Sequence, residues 1–326
     1  MLKVGLIGCG GIGSTHAECY KLLKDTAVTA VADLRGDKAK AVASAFGAQV
    51  FKDGNDLIAS GGFDVIDICL PTYLHCEYAL SAMEKAKGVF IEKPLCLSEA
   101  ECEKLLKKQR ETGCIVQVGH VLRFWNEYVY LKQIFDSKKY GKLLHANFSR
   151  LSRYPWWGWE NWFLDRNKSG GAALDLHIHD SDIALYIFGK PNKSRSCGYD
   201  GEKNSYICTV NEYEGFSARL EGGWYFSKEF PFDASFLAAF ERAALVYSQG
   251  RLTVYPSGEK PFAPEFGAAG GRNNAGINVT ELSGYYNELS AFTESVSKKL
   301  PPVTATLHEA VETVRTVLSE IADSQK

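Results

Sequence analysis

The sequence predicts an α/β chain in two parts, a doubly wound parallel sheet over residues 1–120 and an α+β region over residues 121–326. Three observations predict it. A glycine-rich turn joins an apolar strand to a helix at the very start, in Gly8-Cys9-Gly10-Gly11-Ile12-Gly13. Short apolar strands then alternate with helical patterns to about residue 120, which implies parallel strands covered on both faces. From Leu143 onward the apolar residues change to a period of two, which implies antiparallel strands with one face covered.

Lys3–Ile7 reads as the first strand, and Ala17, Tyr20 and Leu23 give the following helix one buried face. Val28–Ala32 is a second strand ending at Asp33. Asp37–Phe46 has a helix pattern, Gln49–Phe51 reads as a short strand and Asp56–Ala59 as a brief helix. Asp64–Leu70 is a continuous apolar strand stopped by Pro71, and His75–Lys85 is helical. Val89–Ile91 is a strand. Ser98-x-x-Glu101 is a capping box opening a helix to Glu111, and Cys114–Val118 is the last strand of the series.

In the second part, Phe216, Ala218, Leu220, Gly222 and Trp224 alternate with more polar residues. Ala244–Ser248 and Leu252–Tyr255 flank Gln249-Gly250-Arg251, a hairpin signal. A helix spans Gly171–Phe188. Two more close the chain, one with a stripe of Leu282, Tyr285, Tyr286, Leu289, Phe292 and Val296. The other is capped by Thr306-x-x-Glu309, with Val311, Val314, Leu318 and Ile321 inward. Residues 265–276, rich in glycine, alanine and asparagine, read as a flexible loop.

Bulk composition excludes several classes. Hydrophobic content of 45%, charged content of 23% and a net charge of −2 describe an ordinary globule, with no call for nucleic acid or an anionic membrane. The nine cysteines form no C-x-x-C pair and read as small buried hydrophobes in a reducing, cytoplasmic compartment. The N-terminal apolar run is broken by glycines and lacks a cleavage pattern, so it reads as a strand and not a signal peptide. No apolar run is long enough to span a bilayer.

The N-terminal turn carries chemistry. Gly8 allows the tight turn, Gly10 admits a pyrophosphate to the backbone, and Gly13 lets helix and strand pack closely, with Gly11 and Ile12 opening the helix toward the phosphates. Asp33, twenty residues beyond Gly13, is placed to accept from the adenosine ribose hydroxyls, although alone it reads equally as a helix N-cap. A carboxylate there favours NAD, and Arg35 softens that preference toward NADP by pairing with a 2′-phosphate.

Three further stations stand out. Glu92-Lys93-Pro94 follows a strand end, where open α/β sheets hold ligands, yet alone Lys93 reads as a surface lysine. Asp175 and His179, four apart on a helix after Gly170-Gly171, share a face, so the carboxylate can orient the imidazole. The bland alternative is a buried histidine satisfied by a neighbour. A metal set of His177, His179 and Asp180 is disfavoured, because residues two apart on a helix point to opposite sides, and no metal is expected. The third station, Tyr154–Trp162, holds four of the six tryptophans. Flat aromatic faces suit the C–H faces of sugars and cyclitols, but equally a subunit interface or plain core.

With these in hand the chain resembles the glucose-fructose oxidoreductase / inositol dehydrogenase / rhizopine catabolism (Gfo/Idh/MocA) family along nearly its full length. The markers are Gly8-x-Gly10-x-x-Gly13, Asp33, Leu70-Pro71-Thr72-x-x-His75, Glu92-Lys93-Pro94, Gly119-x-x-x-Arg123-Phe124 and Gly170-Gly171-Ala172-x-x-Asp175-x-x-x-His179. The resemblance implies a Rossmann domain plus a domain with a large, mostly antiparallel sheet, whose open face commonly forms a homodimer or homotetramer interface. It implies that Lys93 and His179 are catalytic with Asp175 as partner, and that Leu70, Pro71, Thr72, His75, Glu92 and Lys93 lie on the cofactor side. His120, Arg123, Trp156 and Trp162 are the candidate substrate contacts. Many members have Asp-Pro where this chain has Trp125-Asn126, glycine where His177 stands, and asparagine or phenylalanine in place of His120. The expected activity is NAD(P)-dependent, reversible oxidation of a secondary hydroxyl on a sugar or cyclitol. NAD-dependent glycosidase action through transient oxidation and a non-catalytic NAD(P)-binding regulator are the alternatives.

Overall fold

The computed structural model describes residues 1–201, 205–267 and 282–326. Most of the expected 265–276 loop therefore lies outside the described residues. The chain divides into two units. The first is Met1–Trp125 with residues 282–311, and the second is Asn126–Gly267 with Glu312–Lys326.

In the first unit, β1 (Leu2–Ile7), α1 (Gly11–Leu22), β2 (Thr26–Ala32), α2 (Gly36–Ser44), β3 (Gln49–Phe51) and α3 (Gly54–Ser60) make one half. The other half is β4 (Val65–Ile68), α4 (Thr72–Ala82), β5 (Gly88–Ile91), α5 (Glu99–Thr112) and β6 (Ile115–Val118). All six strands are parallel, in the order β3-β2-β1-β4-β5-β6. That is the doubly wound order, with its reversal between β1 and β4. Strands β1, β2, β4, β5 and β6 are largely buried, β4 and β5 wholly so, while the edge strand β3 is exposed at Gln49 and Val50. The Ser98–Glu101 cap forms, with the carboxylate returning to Leu97 N (3.0 Å) and Ser98 Oγ (3.0 Å).

In the second unit, α6 (Asn126–Ser137) precedes β7 (Leu143–Arg153). After a 3₁₀ turn at Trp159–Leu164 and the short α7 (Arg166–Ser169), a π-helical turn at Ala173–His177 runs directly into α8 (Ile178–Phe188). Then come β8 (Lys193–Asp200), β9 (Ser205–Tyr213), β10 (Phe216–Phe226), β11 (Asp233–Phe240), β12 (Ala243–Ser248) and β13 (Arg251–Pro256). The seven strands run β13-β12-β11-β7-β10-β9-β8, antiparallel except for the β7–β10 pair. The expected hairpin closes on Gln249 and Gly250, both with positive φ (51° and 75°).

Helices α9 (Ser283–Lys298) and α10 (Leu307–Ser324) end the chain. The stripe on α9 is inward as expected, except that Tyr286 is half-buried. On α10 the buried face differs from expectation. Leu318 and Ile321 are half-buried, and Thr313, Val317 and Glu320 take the interior instead. Thr313 Oγ1 donates to Asp182 at 2.8 Å, so a polar partner overrides the apolar stripe there. Among the described residues no helix is long and apolar enough to cross a membrane.

Candidate active site

The glycine turn leaves the end of β1 at the sheet's reversal point. Gly8 has φ of +93°, and a Cβ there would lie 2.4 Å from Cys69 O, while one on Gly13 would lie 1.8 Å from Gly8 O. Neither position tolerates a side chain. A Cβ on Gly10 would meet nothing nearer than Arg35 Nη2 at 3.6 Å, so its face is open. Helix α1 starts at Gly11 without a side-chain cap, and its first-turn N–H groups are left to an anion.

Asp33 is drawn to the same turn. Its Oδ2 accepts from Cys9 N at 2.8 Å and its Oδ1 from Arg35 N at 2.8 Å. The Arg35 guanidinium also forks onto both oxygens, at 3.1 and 3.2 Å. Arg35 is thus paired with the very carboxylate it was expected to counteract. An open Gly10 face, an uncapped helix start and a carboxylate at the end of β2 fit a dinucleotide, with the helix amides meeting its pyrophosphate and Asp33 its ribose.

The next strand ends behave differently from expectation at several residues. Leu70 and Pro71 are half-buried, and Thr72 is buried at the start of α4. His75, expected at the cofactor, has both ring nitrogens against backbone carbonyls, Nδ1 at 2.7 Å from Pro94 O and Nε2 at 2.7 Å from Leu70 O. Burial pushes its pKa down. Glu92, also assigned to the cofactor side, is buried, and its Oε2 accepts from Lys93 N at 3.0 Å. From Gly88 to Cys96 every residue is buried except Lys93.

Two candidate substrate residues are buried. Arg123 is buried, and its Nη1 donates to Glu309 at 2.6 Å and Thr304 at 3.0 Å. Glu309 also caps α10 through Thr306 N at 2.9 Å, and its carboxyl, despite burial, is held below the usual range by Arg123 and Thr306. Arg123 therefore ties the first unit together. His120 is likewise buried, at 1% exposure.

The second unit carries the other station. From Gly171 to Ala184 every residue is buried except Asp175 and His179. Asp175 sits on the π turn and His179 in the first turn of α8. π turns recur at functional sites because they re-aim side chains out of an α-helical register. The buried neighbours fasten this segment. His177 Nε2 lies 3.1 Å from Glu320 Oε2, and Arg150 Nη2 donates to Asp180 at 3.2 Å. Burial pushes the Asp180 carboxyl up against the pull of Arg150. His177 and Asp180 thus each have a protein partner.

The tryptophan segment is not core. Trp156, Trp157 and Trp159 are 40–48% exposed, and Arg153 lies over the Trp157 ring at 5.4 Å. Trp162 is half-buried and stacks on Phe163 at 4.0 Å.

One cluster escaped the sequence reading. His16 Nδ1, an Asp67 oxygen and Cys69 Sγ lie within 4.8 Å of one another, in principle a metal-ligating set. Hydrogen bonds already account for their closeness, since Nδ1 is 2.9 Å from Asp67 and 3.3 Å from Cys69. Burial pushes the Cys69 thiol well up, which keeps it protonated. Helix periodicity offered only a buried position for His16, and its partners stand far along the chain.

Comparison with known proteins agrees with this architecture. Residues 2–120 match the model of the oxidoreductase family with NAD-binding Rossmann fold, and residues 128–252 match the GFO/IDH/MocA C-terminal domain. The myo-inositol 2-dehydrogenase of Thermotoga maritima is 31% identical over 193 residues, covering 58% of this chain and 55% of that protein. The inositol 2-dehydrogenase of Klebsiella pneumoniae (strain 342) is 35% identical over 197 residues, covering 59% and 56%. In these alignments the chain spans little more than half the length of the curated relatives it matches. A levoglucosan dehydrogenase solved with NADH and levoglucosan superposes with a TM-score of 0.85 over 99% of this chain and 97% of that one, at 18% identity, a likeness of fold.

Proposed function

Because the chain belongs to the GFO/IDH/MocA family of oxidoreductases, we propose that it is an NAD-dependent dehydrogenase that reversibly oxidises a secondary hydroxyl of a cyclitol or sugar. The observation that carries this is one of access. Two otherwise buried segments each release only chemistry-bearing side chains, Lys93 in one and the Asp175–His179 pair in the other. Core packing alone has no reason to expose just these.

Bound NAD supplies the hydride acceptor. The chain's own residues do the rest. His179 takes the hydroxyl proton as general base. Asp175 orients the imidazole and offsets the charge it gains. Lys93 donates a hydrogen bond to the reacting oxygen, stabilising the charge that develops there. General acid–base help of this kind is worth about 10²–10⁴-fold, so most of the rate must come from positioning. Inositol dehydrogenases among the relatives make cyclitols the first substrates to try.

The test is a panel of cyclitols and aldoses with saturating NAD, followed by absorbance of the reduced nicotinamide. Turnover with at least one, lost in Lys93→Met and His179→Ala with NAD binding retained, is expected. Binding of NAD with no turnover on any of them would sink the dehydrogenase assignment. Release of nitrophenol from a nitrophenyl glycoside without net reduced cofactor would replace it with glycosidase action.

A further inference from the structure

We infer that His16, backed by Asp67, is a positioning residue for Lys93: it holds the Glu92 carboxylate that accepts the Lys93 N–H, and so fixes the turn from which the lysine projects. The inference rests on the proposed role of Lys93.

His16 lies in α1 and is completely buried. Its two ring nitrogens face two different carboxylates. Nδ1 is 2.9 Å from Asp67 Oδ2, and Nε2 is 3.1 Å from Glu92 Oε1, the latter an ion-pair contact lying off the ideal hydrogen-bond direction. Only the Asp67 contact is a hydrogen bond, and Glu92 acts on the ring as a facing carboxylate charge, which favours the protonated imidazole. Burial opposes that charge, but the hydrogen-bonded Asp67 carboxylate beside it favours it, and the pKa is raised well above 6.5. Phe90 meets the ring edge-on at 5.4 Å and Tyr285 lies at 5.9 Å, so the ring plane is fixed on both sides.

Asp67 is a charged residue inside a wholly buried parallel strand, β4. Burying a carboxylate costs several kcal/mol unless it is paired and its lone pairs are satisfied. Here Tyr20 Oη donates to Oδ2 at 3.0 Å and Cys69 Sγ to Oδ1 at 3.4 Å, in addition to His16. A valine would fill that strand position at no such cost. The polar set fits a role in placing Glu92.

Glu92 is the first residue after β5. One oxygen meets His16, and the other accepts from Lys93 N at 3.0 Å. The strand alongside is shaped around it, since a Cβ on Gly119 would lie 2.8 Å from Glu92 Oε1. On the far side of the lysine, His75 holds the Pro94 carbonyl. The residues before and after Lys93 are therefore each gripped by a buried histidine. Positioning of this kind is felt in the rate of the chemical step more than in binding.

The experiment compares the full chain with His16→Phe, which keeps an aromatic ring and removes both nitrogens, and with Glu92→Gln and Glu92→Ala. NAD affinity, kcat and KM for the best polyol, thermal midpoint, and hydrogen exchange of the Lys93 amide are measured. His16→Phe and Glu92→Ala are expected to speed that exchange at least tenfold and to lower kcat at least tenfold, with NAD affinity and polyol KM within about twofold. Glu92→Gln, which keeps an acceptor oxygen, is expected to recover part of both losses. Lys93 exchange and kcat unchanged in His16→Phe and Glu92→Ala would overturn the inference. So would a fall in thermal midpoint and NAD affinity at unchanged kcat, which marks a purely structural role. Should the wild type bind NAD yet oxidise no polyol, the dehydrogenase proposal fails by itself, and Lys93 exchange in the same variants still decides the role of His16.

Discussion

His177 Nε2 stands 3.1 Å from Glu320 Oε2, joining the π turn that carries Asp175 to the last helix of the chain. Ser181 Oγ donates to the same oxygen at 3.0 Å, and Thr209 Oγ1 lies 3.3 Å from the same ring nitrogen. The ring is buried and spent on the protein's own carboxylate.

Glu320→Ala is therefore expected to destabilise the chain by about 3 kcal/mol, because it strips the acceptor from two buried donors at once. Glu320→Gln keeps one acceptor oxygen and is expected to cost less than half as much. Urea denaturation midpoints with unchanged slopes measure both. Equal, small losses in the two variants would mean that the contact contributes little.

Gly222 on β10 offers a second route to the same turn. A Cβ there would lie 2.8 Å from the N, Cα and Cβ atoms of His177, so the sheet has been cleared for the π turn to sit down on it. Gly222→Ala is expected to cost about 1–3 kcal/mol by overpacking. Because Asp175 belongs to the displaced turn, kcat is expected to fall at least tenfold while NAD affinity, governed by the first unit, holds. Steady-state kinetics beside NAD titration separates the two, and a loss of NAD affinity equal to the loss in kcat would contradict it.

The parallel sheet was legible because each of its strands is a short apolar run between polar or glycine-rich ends, and such runs need no partner to be recognised. Val65–Ile68 and Gly88–Ile91 are of this kind. The inner face of α10 was not legible, because Thr313 and Glu320 are buried by polar partners on and before α8, Asp182 and His177, far away in sequence. Periodicity registers apolarity and is blind to a distant hydrogen-bond partner. The pairing of Arg123 with Glu309 went unseen for the same reason, since it is not local in sequence. His16 passed unnoticed because Asp67, in β4, and Glu92, just after β5, come much later in the chain. Lys93, Asp175 and His179 stood out through the order of the short patterns around them, and their exposure amid buried neighbours could not have been read from that order.

Two of the buried histidines of the first unit, His16 and His75, make opposite predictions for pH. His16 has its folded pKa raised above 6.5, so its stabilising contribution is complete below 6.5 and is lost as pH rises through the folded value. His75 has its folded pKa lowered by burial, so the unfolded chain takes up the proton first, and stability is lost as pH falls below 6.5. Denaturation midpoints across about pH 5–9 are expected to fall on both sides. His16→Phe is expected to flatten the alkaline decline and His75→Gln the acidic one. Either variant keeping the wild-type slope on its own side would refute the assignment for that residue.

Asp33 and Arg35 set the last expectation. The guanidinium fork neutralises the carboxylate that would repel a 2′-phosphate, yet it is also consumed by that carboxylate. Asp33→Ser removes the repulsion and frees the fork together. The ratio of NADP to NAD affinity is then expected to rise at least about tenfold, which corresponds to about 1.4 kcal/mol. Arg35→Ala leaves the carboxylate uncompensated, so the ratio is expected to move the other way, toward NAD. Calorimetric titration of both dinucleotides into each variant measures this. Were Asp33→Ser to weaken both equally, the carboxylate would be acting through its bond to Cys9 N, as a brace for the glycine turn, and not through the ribose.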